Sequence, residues 1–178
     1  MTELDGIHKK LVVKIVQYHG MKLFAYAKTM IYSGVPGQTE GPPVDRGMLG
    51  STMFMDFDNS GRIVRIASPM KYAPFIHFGT GPKGFRTCDK EYKPDTYTHR
   101  MSPGKGPPVE VIAAWVRRKG IAHGDDADRV AFYIARSIAI HGINARPFLS
   151  FAVRKVKPEF ETACKNFFEA VEFRNRQL

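Results

Sequence analysis

The stretch of this chain most suited to handling an anion is Gly79-Thr80-Gly81-Pro82-Lys83-Gly84. Clustered glycines beside a lysine can turn backbone N–H groups toward a phosphate. The spacing stops short of Gly-x-x-x-x-Gly-Lys-Ser/Thr, and the residues that follow read as a loop, not as the helix whose N-terminus would complete an anion site. A metal would look to His77, Cys88 and His99, or to His123 followed by Asp125 and Asp126. None of these has paired ligand spacing such as C-x-x-C or H-x-x-x-H. His77 alternates with Ile76 and Phe78 and reads as a strand residue on a polar or interface face, while the acids at 125 to 128 suit the start of a helix. No Ser or Cys nucleophile sits in a strand-turn-helix setting, and no local pair of carboxylates invites acid/base work. The expectation is a protein that is not an enzyme, with no cofactor and no metal.

The chemistry that remains is electrostatic. Lys plus Arg number 27 against 17 Asp plus Glu, a formal charge of +10 over 178 residues, which favours acidic or polyanionic partners. Between Gly81 and Gly106 lie Lys83, Arg86, Lys90, Lys93, Arg100 and Lys105 against Asp89, Glu91 and Asp95, with Phe85, Tyr92 and Tyr97 interleaved. Cations that hold a phosphate backbone and rings that stack on bases make a nucleic-acid-binding module one reading of this segment, together with the lysines of the first helix. The other is a solvated loop.

These residues need elements to hold them. Ile7, Leu11, Ile15 and Tyr18 recur at helical steps between Lys9, Lys10, Lys14 and Lys22, which predicts a long basic helix from about Glu3 to Tyr32, with Gly20 as a candidate bend. Short β-branched and aromatic runs predict strands at Thr52–Phe57, Ile63–Ala67 and Phe75–Phe78, the first two joined by the turn residues Asp58-Asn59-Ser60-Gly61. Residues 79–108 show no periodicity and read as a long exposed loop. Pro108 to Lys119 is punctuated as a helix, ending at Gly120; a second helix begins among Asp125, Asp126 and Asp128 and stops at Gly142. Pro158 is placed to open the last helix, with Phe160, Ala163, Cys164, Phe167 and Val171 as its stripe. Two cysteines make no disulfide framework. Neither a signal peptide nor a membrane span is apparent, so a single α+β domain in a reducing cytoplasm is expected: a small antiparallel sheet against a long N-terminal helix, two middle helices and a C-terminal helix.

Three segments resemble a known family. VDRGMLGSTM at 44–53 is similar to a T-G-x-L-R-x-S segment after the first helix, YAPFIHFGTG at 72–81 to a Y-A-x-x-x-E-F-G-T strand, and INARPFLSFAV at 143–153 to the x-A-R-P-F-L-x-x-A approach to the last helix. PPVEVIAAWVRRKG at 107–120 resembles an inserted helix that follows the FGTG strand. In this order they resemble the tail-completion, or neck, proteins of tailed bacteriophages. The resemblance implies a structural virion protein, assembled in the host cytoplasm, that forms or joins a sixfold homo-oligomeric ring at the head–tail junction around the DNA channel. Its partners would be itself, neighbouring connector, tail-terminator or tail-tube proteins, and DNA non-specifically, with no membrane. Residues placed at such interfaces are Arg46, Met48, Leu49, Tyr72, Phe75, His77, Phe78, Thr80, Lys83, Arg86, Lys90, Lys93, Arg100 and Arg146. Arg146 before Pro147 suits a bridging guanidinium. The segments at 81–106 and 34–47 are expected to dock on neighbours and to be mobile in the free chain.

Overall fold

The computed structural model describes residues 3–37 and 47–176. The chain is α+β. In order it forms α1 (Glu3–Ser33), α2 (Met48–Thr52), β1 (Phe54–Phe57), β2 (Val64–Ala67), α3 (Ala73–Phe78), α4 (Gly81–Thr87), α5 (Val109–Arg118), α6 (Gly124–His141) and α7 (Phe148–Asn175). It divides into two compact units, one of residues up to 70 with those from 148 onward, the other of residues 71–147.

The first unit is organised by α1 and α7. Three contacts fix an antiparallel pairing: His8 meets Phe167 with ring centroids 6.0 Å apart, His19 meets Phe160 at 5.4 Å, and Lys22 forms an ion pair with Glu159. Ala27, Met30 and Ile31 of α1 are buried, as are Ala152 and Val156 of α7. Gly20 does not break α1. It is buried, and a Cβ there would lie 3.0 Å from Val64 Cγ2, so the missing side chain brings β2 close to the helix.

The β1–β2 hairpin forms where its turn residues predict it. Asp56 stands opposite Arg65 on the exposed face, while Phe57 pairs with Val64 and Met55 with Ile66 on the half-buried one. Asp58 organises the turn: Oδ1 accepts from the backbone N–H of Arg62 and of Ile63, each at 2.9 Å, and Oδ2 accepts from that of Ser60 at 3.2 Å. Hydrogen bonds to Ser60 and the neighbouring amides hold this carboxyl down at about 2.

Helix α7 begins ten residues before the expected start at Pro158. Pro147 immediately precedes it, and Pro158 sits inside it at an exposed position. On the solvent side of a helix, water can serve the carbonyl that a proline leaves unbonded, so the periodicity of the apolar residues outweighs the breaker.

The second unit carries two further corrections. Residues 75–78, expected as a strand, belong to helix α3, which has Pro74 in its first turn and ends at Gly79 with φ 70°. The stretch read as loop from Gly79 opens with α4, again with a proline in the first turn. Helices α5 and α6 form a helical hairpin around the buried residues Ala113, Val116, Ala127 and Ala131, with Ile112, Trp115, Val130 and Ile134 packed at its margin. Arg117 and Asp128 close it with a 2.8 Å ion pair. The extended segment before α5 lies along α6: the Gly104 N–H donates to Ala139 O at 2.9 Å, and a Cβ on Gly106 would fall 2.5 Å from Ala135 O.

Candidate functional site

Two of the motif segments meet inside the second unit. Thr80 N–H donates to Ile143 O at 3.0 Å, and Ile143 N–H donates back to Thr80 O at 3.2 Å and to Thr80 Oγ1 at 3.1 Å. On either side, Arg146 N–H donates to Ile76 O at 2.9 Å and Ala145 N–H to Thr87 Oγ1 at 2.8 Å. The FGTG turn and the residues approaching α7 are therefore one backbone-to-backbone junction. Its glycines are consumed by close approach: a Cβ on Gly79 would lie 2.6 Å from Ala145 N, one on Gly84 2.5 Å from the Gly79 carbonyl carbon, and one on Gly142 1.8 Å from Thr80 O. A glycine cluster packed against its own chain is not open to a phosphate. The reading of GTGPKG as the start of a loop is also overturned, since α4 begins within it at Gly81; at seven residues it is a single short element locked into the junction.

The long segment after α4 is tied back to the same place. Tyr97 donates its O–H to Gly79 O, and His99 Nε2 lies 2.8 Å from Phe78 O. These are carbonyls at the C-terminal end of α3, where the helix leaves acceptors without intrahelical donors. The rings pack as they bond: Phe78 to Tyr97 at 4.8 Å and Tyr97 to His99 at 5.2 Å between centroids. Tyr97, which the sequence offered as a base-stacking ring, is thus a half-buried clasp. Tyr97→Phe keeps the ring and removes the donor, and is expected to cost about 1 kcal/mol. Amide exchange should speed up selectively between residues 88 and 100; unchanged exchange there would show that the clasp does not hold the segment.

His77 is buried in α3, 5 % exposed, and not on a polar strand face. Burial pushes its pKa down to about 4, opposed by the charge of Asp89, itself buried. Cys88 is buried and Cys164 half-buried, and neither is in a disulfide. Among the described residues no three His, Cys, Asp or Glu side chains converge as a metal site, and no helix is long and apolar enough to cross a membrane.

The residues placed at interfaces fall into three groups. Arg46 and most of the 34–47 turn lie outside the described residues. Leu49, at 3 % exposure, and His77 are buried in the folded chain, and Phe78, Thr80 and Arg146 are half-buried at the junction. Lys93 is also half-buried, donating to Tyr97 O at 2.8 Å and Pro94 O at 3.2 Å. Lys83 is half-buried too. Exposed side chains remain at Met48, Tyr72, Phe75, Arg86, Lys90 and Arg100, with Lys90 Nζ held 5.4 Å from the Phe85 ring centroid. Sequence reasoning missed Thr87 and Gly142, whose partners Ala145 and Thr80 are distant in sequence. The only local signal for Gly142 was its place after the last turn of α6. No protein-family model, curated protein or solved structure matches this chain.

Proposed function

We propose that this chain is a structural protein of a tailed-bacteriophage virion that forms or joins an oligomeric ring at the head–tail junction and links head to tail around the DNA channel. The observation that carries the reading is the junction itself. Residues 76–87 and 142–146, which carry parts of two of the three family-like motifs, are a single packed unit whose glycines and threonines bond to backbone, and this supports a pattern that serves architecture. Large apolar side chains left at the surface, among them Tyr72 and Phe75 on one side of the motif and Met48 in the other segment, give such a protein surfaces to bury on neighbours. The basic side chains Arg86, Lys90 and Arg100 suit acidic neighbours or passing DNA.

Quantitative mass spectrometry on gradient-purified particles from producing cells tests this. The chain should be present at roughly six to twelve copies per particle, as whole rings require. Absence from intact particles would overturn the reading. If absence came with DNA binding that weakens steeply with salt and is lost when Lys90, Lys93 and Arg100 are exchanged together for acids, the chain would be a nucleic-acid-binding module instead.

A further inference from the structure

Helix α6 has one face committed and one face open. Ala127, Val130, Ala131 and Ile134 turn toward α5. Half a turn away, at 100° per residue, Asp125, Arg129, Phe132 and Arg136 form a single exposed stripe, with Phe132 at 50 % exposure. Their spacing of four, three and four residues is that of a coiled-coil seam. Tyr133, 64 % exposed, flanks the stripe with its ring 5.8 Å from that of Phe132. Arg129 reaches Asp126 at 2.9 Å, but both side chains are about 70 % exposed, so that pair is readily exchanged. The side chains of Asp125 and Arg136 have no ion pair or hydrogen bond among the described residues.

We propose that this stripe is a docking surface for the α6 of a second copy of this chain, packed antiparallel. The argument is charge complementarity of the stripe with itself. Turned end for end and centred between Arg129 and Phe132, the four positions map onto one another. Asp125 then faces Arg136 of the second copy at both ends, and Arg129 faces Phe132 of the second copy twice in the middle. The seam thus has two ion pairs outside and two guanidinium–aromatic layers inside. A parallel pairing would set Asp against Asp and Arg against Arg, so the same four residues that favour one orientation exclude the other. Arg and aromatic side chains are also the types that concentrate binding energy at interfaces.

The seam spans eleven residue steps, about 16 Å. A contact that short lies at the small end of specific interfaces, so self-association is expected at roughly 10–100 µM. It is isologous and stops at two copies. A ring at a phage neck needs a separate head-to-tail face, so this inference goes beyond the ring reading and can fail without it.

Sedimentation velocity on the full chain at concentrations bracketing that range tests the contact. The unaltered chain should show a monomer–dimer equilibrium that weakens with salt. Asp125→Arg alone and Arg136→Asp alone should each weaken it by at least about tenfold, because each sets like charges opposite one another at both ends. An equimolar mixture of the two single variants should dimerise again, as should the double variant Asp125→Arg/Arg136→Asp, since both arrangements restore opposite charges. That recovery also shows that the single variants are folded. A chain that stays monomeric, single variants that associate like the original, or a mixture that does not recover would each overturn the proposal.

Discussion

Replacing Gly142 by alanine is expected to destabilise the second unit by about 3–5 kcal/mol, the range of substitutions that force strained backbone or break packed contacts. Two costs coincide. Gly142 has φ 74° and ψ −165°, a region that essentially only glycine occupies. Its Cβ would also be placed 1.8 Å from Thr80 O and 2.4 Å from the Thr80 carbonyl carbon. The obstacle is backbone, fixed on both sides by the reciprocal hydrogen bonds of Thr80 and Ile143, so no rotamer change relieves it. Gly142 also ends α6, its N–H donating to Ile138 O at 2.9 Å, so the displacement would fray the helix that carries the open stripe. Gly50→Ala makes the contrast. A Cβ there meets the Tyr32 ring at 2.6 Å, but Tyr32 is 46 % exposed and can swing away, so this change should cost far less. Thermal unfolding together with amide exchange at residues 76–84 and 138–146 decides the matter. An alanine variant at 142 with an unchanged midpoint would show that the two motif segments are not paired.

That pairing marks the boundary of what the sequence reveals. Helices α5 and α6 were legible to within a residue or two because their apolar faces, an opening proline and closing glycines all agree. The β1–β2 hairpin was legible from its short β-branched and aromatic runs and the turn residues Asp58-Asn59-Ser60-Gly61 between them. Helix α1 was legible through Gly20 because its apolar period continues on both sides, although the reason for the glycine, the close approach of Val64, is a tertiary fact. The errors have a common cause. Residues 75–78 offer too few positions to separate a period of two from one of 3.6, and the helix signals were instead Pro74 before them and Gly79 after. In α4 the two glycines, the proline and the threonine all argue locally for a loop, and only the junction with residues 142–145 makes a helix of them. Pro158 fits the preference of prolines for a helix start, yet it lies inside α7, and Pro147 is the proline that immediately precedes the helix. The clasp of Tyr97 and His99 was illegible for a simpler reason: their partners are backbone carbonyls, which carry no sequence signal.

The same clasped region should make the second unit sensitive to mild acid through His77. An ordinary histidine titrates near 6.5, and burial lowers His77 to about 4 in the folded chain. The unfolded chain therefore binds a proton between those values that the folded chain refuses. Stability is fully present above about pH 6.5, falls as the pH is lowered through the window, and has lost its whole contribution below about pH 4. A gap of this size corresponds to about 3 kcal/mol. Asp89 works in the opposite direction, its charge favouring the imidazolium, so Asp89→Asn should make the loss steeper. Of the other shifted groups, Asp58, held at about 2 by hydrogen bonds, titrates below the window and Lys22, raised by Glu159, far above it, while Glu159, lowered by Lys22 from an ordinary value of 4.5, touches only its acid edge. His77→Gln removes the titrating ring while keeping a polar side chain in α3. Whatever it costs at pH 7, its stability should be nearly flat from pH 6.5 to 4.5, where the unaltered chain declines. Urea denaturation at half-unit steps across that range gives the comparison. Equal slopes in the two proteins would mean that His77 accepts its proton in the folded state as readily as in the unfolded one, and that the cover over α3 is open to water.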